Sequence, residues 1–143
     1  MNTISLVPKE QVRNIWPTVE PLLAKAIAYL NGRVDTIDIY IGILQGAQTL
    51  WVSFDEEKKV TGCLIVKIID YPNTRVCSVD YAAGEGVDDW LEKSFGKIMA
   101  YAREFGCQRM EAFGRKGWTP RARKLGWKDI GVRFDYEIPQ GDD

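Results

Sequence analysis

The sequence predicts a single-domain α/β fold in which one mixed sheet, an antiparallel meander joined to a parallel strand pair, is flanked by helices. Three observations lead there. The block from Gln48 to Ala83 reads as three consecutive strands separated by short polar turns. Stretches on either side of it carry apolar residues at helical spacing. The strand, helix and strand from Val76 to Phe113 demand a parallel, right-handed crossover, because parallel strands cannot be joined by a tight turn. At 143 residues, 45% hydrophobic and 27% charged, the chain has the size of one packed domain. That domain is expected over residues 1–138, with "PQGDD" at 139–143 as a loose tail.

The elements follow in order. "TISLV" is a short strand, and "PKEQVRNIW" starts a helix with a proline where the first turn tolerates a missing N–H. Pro17 and Pro21 are expected to break and restart that helix, which stops at Asn31-Gly32. "TIDIYIGILQG", Thr36 to Gly46, follows as a helix, although its alternation also suits a strand. "QTLWVSF", "VTGCLIVKIIDY" and "RVCSVDYAA" form the meander. "WLEKSFGKIMAYAREFG" is the longest helix, with Trp90, Leu91, Phe95, Ile98, Met99 and Ala102 on its apolar face. "CQRMEAFG" is the parallel strand. "TPRARKLG" is a short helix capped by Thr119, and "WKDIGVRFDYEI" is a last strand.

Composition removes several kinds of chemistry. There is no histidine, so Ser-His-Asp and Cys-His nucleophile systems are excluded. Cys63, Cys77 and Cys107 sit singly in strand-like runs, which suits buried core thiols and neither a zinc site nor a disulfide framework. A net charge of −1 and a pI near 5.6 argue against a dedicated nucleic-acid binder. No leader-like or membrane-spanning apolar run is evident, so a cytoplasmic protein is expected. The one concentrated basic run is Arg115, Lys116, Arg121, Arg123 and Lys124.

This order of elements is similar to that of the GNAT superfamily of N-acyltransferases, over essentially the whole chain. "AREFGCQRMEAFG" followed by "ARKLGW" resembles the family's long-helix end, its fifth strand and its closing "YEKLGF" type sequence. Within the superfamily the chain looks most like small GNAT-like proteins of tailed bacteriophages. Leu50-Trp51, Tyr71-Pro72, Gly106-Cys107 and the stretch from Gly114 to Trp118 carry that likeness. The resemblance implies acetyl-CoA as cosubstrate, no metal, and a cleft between the fourth and fifth strands.

Two departures bear on activity. Catalytic members run from the fourth strand into Arg/Gln-x-x-Gly-x-Gly/Ala, whose amides and helix N-terminus hold the cosubstrate's pyrophosphate. Here Tyr81-Ala82-Ala83-Gly84-Glu85-Gly86 stands in that role, with Tyr81 in the first position. Counting back from Ala102 sets the family's glycines at Asp89 and Leu91, about five residues later. Glu85, Asp88, Asp89 and Glu92 make the region acidic. Ala122 stands where many members keep the tyrosine that protonates the departing thiolate. Asp80 and Glu111 are the candidate general bases, with pairing to Arg109 or Arg115 as the structural alternative. Arg115, Arg121 and Arg123 are candidate phosphate ligands, or a face for a host or phage protein. Two readings therefore stand: an acyl-CoA N-acyltransferase, or a non-catalytic protein of that fold that binds a host or virion protein.

Overall fold

The computed structural model describes residues 3–114 and 116–141. Five strands form one sheet in the order β1 (Thr3–Leu6), β2 (Thr49–Phe54), β3 (Val60–Tyr71), β4 (Thr74–Gly84) and β5 (Arg109–Ala112). The first four pair antiparallel and β4 pairs β5 parallel, as the crossover requires.

Strand alternation divides the core into two layers. Leu50 and Val52 of β2, and Cys63 and Ile65 of β3, face α1 (Lys9–Ile27) and α2 (Thr36–Leu44). Trp51, Leu64 and Val66 face the other way, against Trp90, Ile98 and Ala102 of α3 (Val87–Glu104). The stretch from Thr36 is helical. Asp35 caps it, in a box where the Asp38 carboxylate accepts from the Asp35 N–H at 2.9 Å, and that local bonding decides against the strand reading.

Three sequence expectations need correction. Helix α1 runs unbroken through Pro17 and Pro21. Both prolines lie four residues apart on the exposed face, where water can solvate the carbonyls they leave free. Val12, Val19, Leu23 and Ile27 meanwhile hold the opposite face in the core. The helix α4 (Thr119–Lys124) is preceded by a 3-10 turn, Lys116–Trp118, so Trp118 rather than Thr119 is its N-cap residue. The segment from Trp127 to Ile138 forms no ladder with any described strand, although its alternation is that of a strand. Its outer side chains remain in solvent.

Candidate functional site

The register of β3 on β4 contains one irregularity. Ile65 is opposite Tyr81 and Val66 is opposite Val79, so Asp80 is an extra residue on β4, a β-bulge. The bulge changes which residues face each layer. Cys77 and Val79 face α3 below it, whereas Tyr81 and Ala83 face α1 above it. Period-two reasoning cannot locate such a step, because the extra residue has no distinctive composition.

Asp80 is half-buried at this step. Its carboxylate accepts from Gln48 Nε2 at 3.0 Å and from Ser78 Oγ at 2.7 Å. Ser78 lies opposite Glu111 of β5. The Glu111 carboxylate accepts from the Tyr71 hydroxyl at 2.8 Å, and this bond pushes the Tyr71 phenol upward, with smaller contributions from burial and the nearby charges of Glu111 and Asp80. The structure thus brings both candidate bases to one end of the parallel strand pair. Neither is bonded to Arg109 in the structure. The partners Gln48, Ser78 and Tyr71 were not among the residues the sequence singled out; only the "YP" turn at Tyr71-Pro72 gave any signal.

Strand β5 follows β4 only from Val76 to Val79. From Asp80 to Gly84 the β4 edge facing away from β3 has no strand partner among the described residues. Here the two parallel strands part.

Gly84, Glu85 and Gly86 then turn the chain into α3, with Gly86 as the N-cap residue in the left-handed region. Positions 89 and 91 lie in the first turns of that helix. Gly84 is required by its neighbours: at φ 138°, an added Cβ would come within 2.3 Å of the Thr61 carbonyl oxygen and 2.4 Å of the Gly62 Cα. The Glu85 N–H donates to the same Thr61 carbonyl at 2.9 Å, and the Glu85 carbonyl accepts from Trp90 Nε1 at 2.9 Å. The loop is therefore tied on both sides. Asp88 in the first turn is bridged by Arg121 of α4 at 2.8 Å, which holds its carboxyl below the ordinary carboxylate range. Arg121 also lies 5.8 Å from the Trp118 ring centroid, and Arg123 pairs with Asp129 at 2.7 Å. Arg115 lies outside the described residues.

No protein-family model matches the sequence, and no curated protein does. Solved structures do. A probable acetyltransferase superposes with a TM-score of 0.70 at 13% identity, covering 99% of each chain. An aminoglycoside 6'-N-acetyltransferase from Acinetobacter baumannii gives a TM-score of 0.66 at 11% identity, covering 99% of this chain and 100% of that one. An aminoglycoside acetyltransferase from an uncultured soil metagenomic sample, in complex with sisomicin, gives 0.71 at 13%, covering 96% and 97%. The fold is the GNAT acetyltransferase fold.

Against that GNAT frame, the fit to an acyl-CoA cosubstrate is mixed. The open β4 edge beside Tyr81, Ala82 and Ala83 suits an extended, amide-bearing arm, which can add to it as a strand does. The turn at Gly84 and Gly86 has the right place between strand and helix, but one of its amides is already spent on Thr61. Ala122, which the sequence resemblance sets at the family's acid, lies in α4 and carries no hydroxyl. Tyr101 does not replace it, for its ring packs edge-on against Trp51 on the α3 side of the sheet. Burial of Cys63 and Cys77 pushes each thiol up to about 12, which makes both inert at neutral pH. Among the described residues no group of three metal-ligating side chains occurs, and no helix is long and apolar enough to cross a membrane.

Proposed function

We propose that the protein is an acyl-CoA-dependent N-acyltransferase whose acceptor is a cationic amine. The observation that carries this reading is the bulge at Asp80, which sets a hydrogen-bonded carboxylate beside the point where β4 and β5 part. In this reading an acceptor amine approaches Asp80 and Glu111, whose negative charge favours a cation. Glu111 with Tyr71 holds the acceptor; the bound ammonium first loses one proton to solvent, which frees its lone pair, and Asp80, oriented by Gln48 and Ser78, takes the second as the carbon–nitrogen bond forms. The amine nitrogen bonds to the thioester carbonyl carbon while a backbone N–H near Ala82 or Ala83 polarises the carbonyl oxygen. The carbon–sulfur bond then breaks, and the thiolate takes its proton from solvent, since Ala122 offers none. Arg121 and Arg123, with Arg115, receive the phosphates by exchanging exposed carboxylate partners for them.

A second reading rests on a different observation. The Arg121 and Asp88 pair stands at the start of α3, where the family resemblance expects the cosubstrate's pyrophosphate, and this suits a non-catalytic protein that binds a host or virion partner through α4. Both readings take the chain as a phage product working in the host cytoplasm, on the strength of the sequence features from Leu50 to Trp118.

Calorimetric titration with acetyl-CoA separates the two. The enzyme reading expects saturable binding. Asp80→Asn or Glu111→Gln should then lower turnover ~10²-fold or more with little change in that binding. No heat at millimolar acetyl-CoA, or full turnover in both variants, defeats the proposed mechanism.

A further inference from the structure

Between the Asp80 bulge and the β3–β4 turn, one face of the sheet carries no helix. The sheet residues buried against α1 and α2 are Leu50, Val52, Cys63, Ile65 and Ala83, all on the other side of the bulge. The register continues this face toward the turn as a grid. Lys67, Ser78 and Glu111 form one row across β3, β4 and β5, and Ile69, Val76 and Arg109 form the next. The residues that alternate with them, Ile68, Cys77 and Met110, belong to the α3 layer. Tyr71, one row further on, donates its hydroxyl to Glu111 at 2.8 Å. To reach it the tyrosine crosses the Val76 row diagonally, which is why Val76 is only 3% exposed while belonging to neither core layer.

That diagonal separates the two basic residues of the face. Arg109 is left on one side, and Lys67 on the other with Ser78 and Asp80. Lys67 is exposed and forms no ion pair among the described residues. The carboxylates near it are already oriented, Asp80 by Gln48 and Ser78, and Glu111 by Tyr71. Adjacent strands lie about 4.8 Å apart, so Lys67 and Glu111 rise roughly 10 Å apart on either side of Ser78. Both side chains are long enough to close on a small molecule between them.

We propose that the acceptor is zwitterionic, an amino acid or short peptide whose amine rests against Asp80 and Glu111 and whose free carboxylate is received by Lys67. The inference rests on the acyl-transfer reading for the fate of the amine, but the recognition it describes does not need the reaction. A carboxylate complements the unpaired ammonium, whereas a purely cationic acceptor is repelled by it. Lys67 thus selects among amines that Asp80 and Glu111 alone would all attract.

Calorimetric titration with L-lysine, lysinamide and cadaverine, each without acetyl-CoA, tests this. Lysinamide and cadaverine keep an amine, lose the carboxylate and carry more net positive charge than lysine. Acidic groups acting alone would favour them. The expected order is the reverse, with lysine bound about tenfold or more tighter than either, the worth of one charge-assisted contact. Lys67→Gln should remove that advantage, and Lys67→Glu should invert the order. Arg109→Gln, beyond the Tyr71 diagonal, should leave the order as it is. Equal or tighter binding of lysinamide by the wild type, no lysine binding at about 10 mM, or a lysine affinity that Lys67→Gln leaves intact overturns the proposal. Lysine bound in the expected order but never acetylated when acetyl-CoA is added upholds the recognition and defeats acyl transfer. Acetylation of cadaverine or lysinamide in preference to lysine does the opposite.

Discussion

Two residues at the β4–α3 turn show how much of this site is fixed by neighbours rather than by ligand. Gly84 has no room for a side chain against Thr61 and Gly62, and its φ of 138° is one that other residues rarely adopt. Gly84→Ala should therefore destabilise the fold by about 2–3 kcal/mol, measured by denaturant unfolding with or without acetyl-CoA present. A glycine kept only for phosphate would give a stable variant that had lost binding. Asp88 makes the second case. Its folded carboxyl is held low by the Arg121 hydrogen bond and charge, so the stability this contributes is present above the unfolded value of about 4 and is lost as pH falls through the folded one. Arg121→Gln should melt below wild type at neutral pH, and the gap should close on acidification below about pH 4. A gap that persists in acid would assign the loss to the Trp118 contact instead.

At the level of elements, the sequence was informative wherever one physical rule acted alone. The meander, the long helix, the parallel pair and the helix at Thr36 were legible from periodicity and turn residues. Where a tertiary effect overrides a local rule, the reading failed. Pro17 and Pro21 forbid a regular ladder locally, yet the buried row from Val12 to Ile27 is continuous and holds α1 together. Since each proline sits on the exposed face, Pro17→Ala or Pro21→Ala should restore a helical N–H and raise stability by about 1–3 kcal/mol in thermal or urea unfolding. Lower stability in both would mean that the packing of α1 depends on the curvature the prolines impose. The last segment failed differently. Its alternation suits a strand, but a strand needs a neighbour, and residues 127–138 pair with no described strand. The candidate bases Asp80 and Glu111 were found from the sequence, whereas the bulge and the partners Gln48, Ser78 and Tyr71 emerged only when β3, β4 and β5 were aligned.

For the whole molecule, the central question is whether the parting of β4 and β5 is a working cleft or an inherited shape. The two strands share four paired positions, and beyond Val79 the β4 edge from Asp80 to Gly84 is without a strand partner. An acyl-CoA arm lying along that edge would occupy backbone groups there and slow their exchange with solvent, as an added strand does. Protection should be confined to Asp80–Gly84 and the start of α3. The amides of Val52 and Ile65, on the inner strands β2 and β3, should exchange no differently. Hydrogen exchange read by mass spectrometry, with and without saturating acetyl-CoA, measures this. Uniform protection across the sheet would indicate global stabilisation by mass action, leaving the place of binding undetermined by this readout. Protection limited to α4 and the 130–138 segment would move the ligand to the basic helix and away from Asp80. Only slowing at the open β4 edge, sensitive to Gly86→Val, makes the splayed strands a cosubstrate site.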